Sequence, residues 1–190
     1  MELPPLAADV LDFWFGLPPP ASRAEWFRKD AAFDADIRDR YGVAVAAACA
    51  GAYGEWCASP RGALARVIVL DQFTRNVYRG TAAAFSGDAR ALATADEAVA
   101  RGFDRTLAPV ERQFLYLPFE HAEDASMQAR SLALFGALAD ETGLATPLEW
   151  AQKHAEVIRR FGRYPHRNAL LGRPSTPDEL AYLDTPGAGF

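Results

Sequence analysis

The groups best able to do chemistry are three histidines and the carboxylates and arginines around them. His121, His154 and His166 are the only histidines of the chain, and each stands in a segment dense in other ionisable groups. His121 belongs to the run Leu117-Pro118-Phe119-Glu120-His121-Ala122-Glu123-Asp124. His154 lies between Trp150, Val157 and Phe161 on one apolar helical face. His166 sits in Arg163-Tyr164-Pro165-His166-Arg167-Asn168, a proline-stiffened loop of the kind that often carries binding residues. Imidazole titrates close to neutral pH, and beside a carboxylate it can act as a general acid or base. His121, His166 and Glu120 are therefore the candidate catalytic groups.

A third polar stretch is Leu70-Asp71-Gln72-Phe73-Thr74-Arg75-Asn76-Val77-Tyr78-Arg79. At 100° per residue, Ala63, Val67, Leu70, Phe73 and Val77 form an apolar stripe. Gln72, Arg75 and Arg79 fall opposite, flanked by Leu64 and Ile68. A helix apolar on two sides is central, so its polar residues should be at least partly buried. Buried charges need partners, and Asp71 with Arg75 is a favourable i,i+4 pair. Guanidinium groups suit two-pronged binding of carboxylate or phosphate. Asp71, Gln72, Arg75, Asn76, Arg79, Glu123, His154, Arg163, Arg167 and Asn168 are thus expected to bind ligand. With the catalytic groups they would line a cleft between helices that takes a small anionic molecule or a peptide. The same residues also fit a structural role, as one buried ion network that sets helix register.

Glu120 and Asp124 are like charges one turn apart and repel unless a cation lies between them. Three histidines with Glu120 and Asp124 could form a nitrogen–oxygen metal site. No HExxH or ExxH spacing is present, so a metal-dependent hydrolase stays an alternative, and no metal ligand or cofactor is assigned. There is no nucleophile elbow, P-loop or dinucleotide fingerprint. Cys49 and Cys57 are eight residues apart in a helix-like stretch, a rise of about 12 Å at ~1.5 Å per residue. That is too far for a disulfide.

The chain that must position these groups has 190 residues, 50% hydrophobic and 24% charged, enough for one domain with its own core. Its net charge of −5 argues against nucleic acid or an anionic membrane as partner. No apolar run approaches the ~20 residues of a membrane span, and the start Met1-Glu2-Leu3-Pro4-Pro5 lacks a basic leader region, so a cytoplasmic location is expected. Alanine is abundant and period-2 alternation is absent, which predicts an all-α fold. Helices are expected over about 6–15, 31–58 with a break near Gly42 or Gly51, 60–78, 88–102, 109–123, 127–141, 146–162 and from 177 onward. Ser22-Arg23-Ala24-Glu25 and Thr176-Pro177-Asp178-Glu179 read as capping boxes, and Ser59-Pro60 as a helix start. Pro118 cannot donate to the Phe114 carbonyl, so its helix should kink there. No fixed repeat is evident, but antiparallel helix pairs could stack as a solenoid-like array.

Three of these stretches, Leu70–Asn76, Leu117–Asp124 and Phe161–Asn168, with Val10-Leu11-Asp12-Phe13-Trp14-Phe15 near the start, give the chain a resemblance. It resembles the bacterial family known as domain of unknown function 924 over nearly its whole length. Ala122 stands where the family pattern usually has serine. The resemblance implies an all-helical fold similar to tetratricopeptide-repeat arrays, in a single compact domain. It implies no activity. The functions left open are a small-molecule site, a peptide-binding scaffold and the metal-dependent hydrolase, with oligomeric state undetermined.

Overall fold

The structure, a computed structural model, describes every residue except Met1, Pro18, Ala21 and Phe190, together with the side chain of Phe27. It is built of helices and connecting turns, with no strand among the described residues. The chain divides into two compact units. Unit 1 comprises the chain up to Arg79 together with Ala83–Pro118; unit 2 comprises Gly80–Ala82 and everything from Phe119 onward.

Unit 1 holds α1 (Pro5–Phe15), α2 (Ala31–Cys49), α3 (Pro60–Val67), α4 (Thr74–Val77) and α5 (Asp88–Ala100). Its α3 and α4 are joined without a break by a π-helical segment, Ile68–Phe73. Such wide turns are rare, and they recur at functional positions. The apolar reading of this stretch holds on both faces: Ala63, Leu64, Val67, Ile68, Leu70 and Phe73 are all essentially inaccessible. An aromatic cluster packs around it. Phe73 meets Trp14 at 5.6 Å and Tyr41 at 4.8 Å between ring centroids, and Trp14 meets Phe114 edge-on at 5.5 Å. Each such pair adds roughly 0.5–1.5 kcal/mol beyond simple burial.

Two glycines permit close packing here. A Cβ on Gly87 would stand 2.0 Å from the Leu70 carbonyl oxygen, and one on Gly62 would stand 2.1 Å from that of Trp56. Gly87 immediately precedes α5, so its lack of a side chain lets the start of that helix abut the π-helical segment.

The helix α6 (Pro109–His121) carries the boundary between the units, which falls after Pro118. Unit 2 then contains α7 (Ala125–Thr142), α8 (Ala145–Phe161) and α9 (Pro177–Leu183). Phe135, Leu138, Ala151, Val157, Ile158 and Tyr164 are buried in it. The end of α8 is a glycine stop, Gly162 at φ 69°, and α9 starts with a complete capping box on Thr176 and Glu179.

Most helix limits match those expected from the sequence; two local readings change. Ser22–Glu25 forms no capping box: Ala24–Phe27 is a single 3-10 turn behind Arg23, with no side-chain cap. The break expected near Gly42 or Gly51 falls at Gly51: the second helix ends at Cys49, and a separate 3-10 turn covers Gly54–Ala58. Asp124 is the N-cap of α7 and accepts from the Ser126 and Met127 amides. Both cysteines are free. No helix among the described residues is long and apolar enough to cross a membrane.

Candidate functional site

The expected site residues fall into two groups. Asp71, Gln72, Arg75, Asn76 and Arg79 belong to unit 1 and are engaged there. Arg75 bridges two carboxylates, lying 3.1 Å from Asp71 Oδ1 and donating to both oxygens of Asp88 at 3.0 and 3.2 Å. Gln72 donates to Asp71 at 2.6 Å. Asn76 and Arg79 both donate to Asp34, each at 2.8 Å to Oδ1. Burial raises the Asp34 pKa, but the hydrogen bonds from Arg79 and Asn76 outweigh it and hold the carboxyl below its usual range. Asp71 is completely buried, as the two-sided apolar pattern requires.

The remaining candidates lie in unit 2, where two stretches distant in sequence come together. One part is a lock of ion pairs. Arg163 grips Glu179 through Nε and Nη2 at 2.6 and 2.8 Å, and also donates to the Pro174 carbonyl. That contact holds the Glu179 carboxyl down at about 2. Arg173 grips Glu123 at 2.6 and 2.9 Å, and Glu123 accepts the Tyr164 amide at 2.7 Å. Asn168 links the two pairs, accepting from Arg173 at 3.0 Å and donating to Glu179 at 3.3 Å. Arg163, Glu123 and Asn168 thus tie the loop after α8 to α9 and to the end of α6. Arg163 also lines an open recess of about 450 Å3 with Arg160, Phe161, Thr176, Asp178 and Glu179. That recess offers two cations and two carboxylates, a balance with no preference for an anion, and none of the histidines reaches its lining.

The other part is a histidine cluster. Glu120 and His121 occupy the last turn of α6, and His154 faces inward from α8. His154 Nδ1 lies 2.9 Å from the Trp150 carbonyl oxygen and 3.1 Å from Glu120 Oε1. Both neighbours only accept, so Nδ1 carries the proton and the lone pair resides on Nε2. Burial pushes the His154 pKa down to about 3, with His121, Arg167 and His166 adding in the same direction. His154 is therefore neutral at neutral pH. The His121 ring centroid is 6.1 Å from that of His154, and Tyr164 packs edge-on against His154 at 5.6 Å. His166 lies against Tyr164 at 5.7 Å, and the Arg167 guanidinium covers the same ring at 4.6 Å. Glu120, His154 and Arg167 are buried, whereas His121 and His166 are half-buried.

Two residues that the sequence reading missed hold this cluster in place. The terminal carbonyls of a helix have no partner within it. Gln128 Nε2, from α7, reaches those of α6, at 2.7 Å from Glu120 O and 2.8 Å from Ala122 O. The Tyr164 hydroxyl also donates to Glu120 O and accepts from Gln128 at 3.0 Å. A signal existed for Gln128: it shares the buried face of α7 with Ser131, Phe135 and Leu138, where an amide is out of place unless it has work to do. Arg173, the missed partner of Glu123 in the ion-pair lock, carries no comparable mark.

Comparison with known proteins gives a family and a structural relative. Residues 10–187 match the family described as bacterial protein of unknown function, DUF924. A solved structure of a protein of unknown function from Agrobacterium tumefaciens is 42% identical, with a TM-score of 0.85 over 94% of this chain and 97% of that one. No curated protein matches.

Proposed function

Since the chain belongs to the DUF924 family, whose members are bacterial proteins of unknown function, we propose a function from the site itself: unit 2 binds a small anionic molecule at the cluster of His121, His154, His166 and Arg167. The supporting observation is electrostatic. Around the buried imidazole of His154, three nitrogen-bearing side chains, His121, Arg167 and His166, all act in the positive sense. Glu120 is the carboxylate in contact with His154, while Glu123 and Glu179 are gripped by Arg173 and Arg163. A carboxylate or phosphate group reaching the half-buried imidazoles would lie in the field of the buried Arg167 guanidinium. His121 and His166 are exposed enough to exchange protons with a bound molecule, and Glu120 supports the neighbouring imidazole. This makes His121 and His166 the acid–base groups of the reading, with Glu120 as positioning carboxylate.

Calorimetric titration with inorganic phosphate and with small dicarboxylates tests it. The wild-type chain should bind at least one of them. Arg167→Met should lose that binding while circular dichroism shows the helices intact, and Arg163→Met should keep it. Equal binding in Arg167→Met, or none by the wild type, overturns the reading.

A further inference from the structure

Glu120, His121 and His154 offer one carboxylate oxygen and two imidazole nitrogens, with one ligand atom from each lying within 4.8 Å of the other two. We infer that these three side chains form a binding site for a first-row divalent transition cation, of the class of zinc, cobalt(II) and iron(II). The first support is distance. Zinc bonds to nitrogen and oxygen of about 2.0–2.2 Å put neighbouring ligand atoms roughly 3–3.5 Å apart. His154 Nδ1 and Glu120 Oε1 already stand 3.1 Å apart, the length of such an edge. His121 stands half-buried on the final turn of α6, with its ligand atom within 4.8 Å of the other two.

Donor chemistry narrows the cation. Two imidazoles with one carboxylate suit zinc, cobalt, nickel and iron(II), whereas magnesium and calcium prefer oxygen throughout. The mounting is also rigid. The last turn of α6 is pinned by Gln128 and by the Tyr164 hydroxyl, and His154 is set in the middle of α8. Coordination at His154 Nδ1 moves the ring proton to Nε2, so the imidazole is neutral before and after. Asp124 is not a ligand, because its carboxylate caps α7. Three protein ligands leave at least one position open, the arrangement of sites that also hold water or a small molecule. This cation site overlaps the anion site proposed above but does not rest on it.

The test uses the full chain without an affinity tag, stripped with a chelator and reloaded with zinc alone. Elemental analysis should find one zinc per chain. Cobalt(II) should give visible bands of nitrogen and oxygen ligands with no thiolate charge-transfer band, which excludes Cys49 and Cys57. His121→Gln should weaken zinc binding by at least ~10-fold with helicity unchanged, and Glu120→Gln should do the same. Arg167→Met should still take up one zinc, so the cation and anion readings fail separately. Absence of stoichiometric zinc in the wild type, a thiolate band with cobalt, or undiminished affinity in His121→Gln overturns the inference. The His121→Gln result stands by itself should Glu120→Gln not fold.

Discussion

In unit 1 the buried carboxylates Asp34 and Asp71 meet guanidinium and amide groups. Arg79 and Asn76 converge on Asp34, and Arg75 spans Asp71 and Asp88. In unit 2 Arg163 likewise grips the buried Glu179, but the buried Glu120 is also in contact with an imidazole, His154, whose protonation is opposed by burial and, in the same direction, by His121, Arg167 and His166. The contrast lies in what the bases can offer. A guanidinium has donors and no lone pair, so a fork on a carboxylate is an end state. A neutral imidazole keeps a lone pair and can take a proton, a cation or a hydrogen bond. Arginine networks therefore read as structure, and a histidine set among other cations reads as a place for chemistry.

The largest break in that comparison comes from Arg75→Ala, which takes the guanidinium away from the fully buried Asp71. It should lower the unfolding free energy by ~3–5 kcal/mol in urea titration, and zinc uptake by the surviving folded protein should be unchanged. Next is acid titration of His154. Its pKa in the folded chain, about 3, lies below the 6.5 of the unfolded chain, so the unfolded state binds the extra proton between those values. Stability should be complete above about pH 6.5 and fall as pH drops toward 3, by at most ~1.4 kcal/mol per pH unit from this group. Urea midpoints compared with those of His154→Phe isolate the term, because the variant should lack that part of the slope. Gly87→Ala drives a methyl group into the Leu70 carbonyl and should cost about 1–3 kcal/mol. Measured again by urea titration, it should leave the His154 acid profile in place. The smallest effect is that of Asp124→Asn. Asparagine still caps a helix, so stability should change by only a few tenths of a kcal/mol, with zinc uptake equal to wild type. Reduced uptake would return Asp124 to the ligand set.

Helix limits were legible because they are written locally. Ser59-Pro60, Gly162 and Thr176–Glu179 mark starts and stops through groups only a few residues apart. The burial of Asp71 was legible too, from apolar residues on both sides of its stripe. The partners were not. Arg79 finds Asp34 across 45 residues and Arg173 finds Glu123 across 50, and no spacing rule encodes such pairings. A marker for Asp34 was present, since it shares one buried face of α2 with Ile37, Tyr41 and Ala48. The π-helical turn left no trace either, because hydrophobic period describes side chains and is blind to which carbonyl an amide selects. Within the polar stretches, spacing named the residues but could not say which would close upon each other. Spacing thus groups Arg163, Glu123 and Asn168 with the histidines and does not foresee the pairs with Glu179 and Arg173 that fasten the loop after α8.

The Ile68–Phe73 turn holds more residues per revolution than its neighbours, and everything after it inherits the phase. Rewinding the same residues as ordinary α-helix would swing the following side chains by about 100° around the axis. Arg75, Asn76 and Arg79 would then face away from Asp88 and Asp34 while the apolar sequence around them stayed almost unaltered. The electrostatic wiring of the first unit is in this sense set by how widely one turn is wound, and a relative one residue shorter here would keep the same acids by winding that turn as ordinary α-helix.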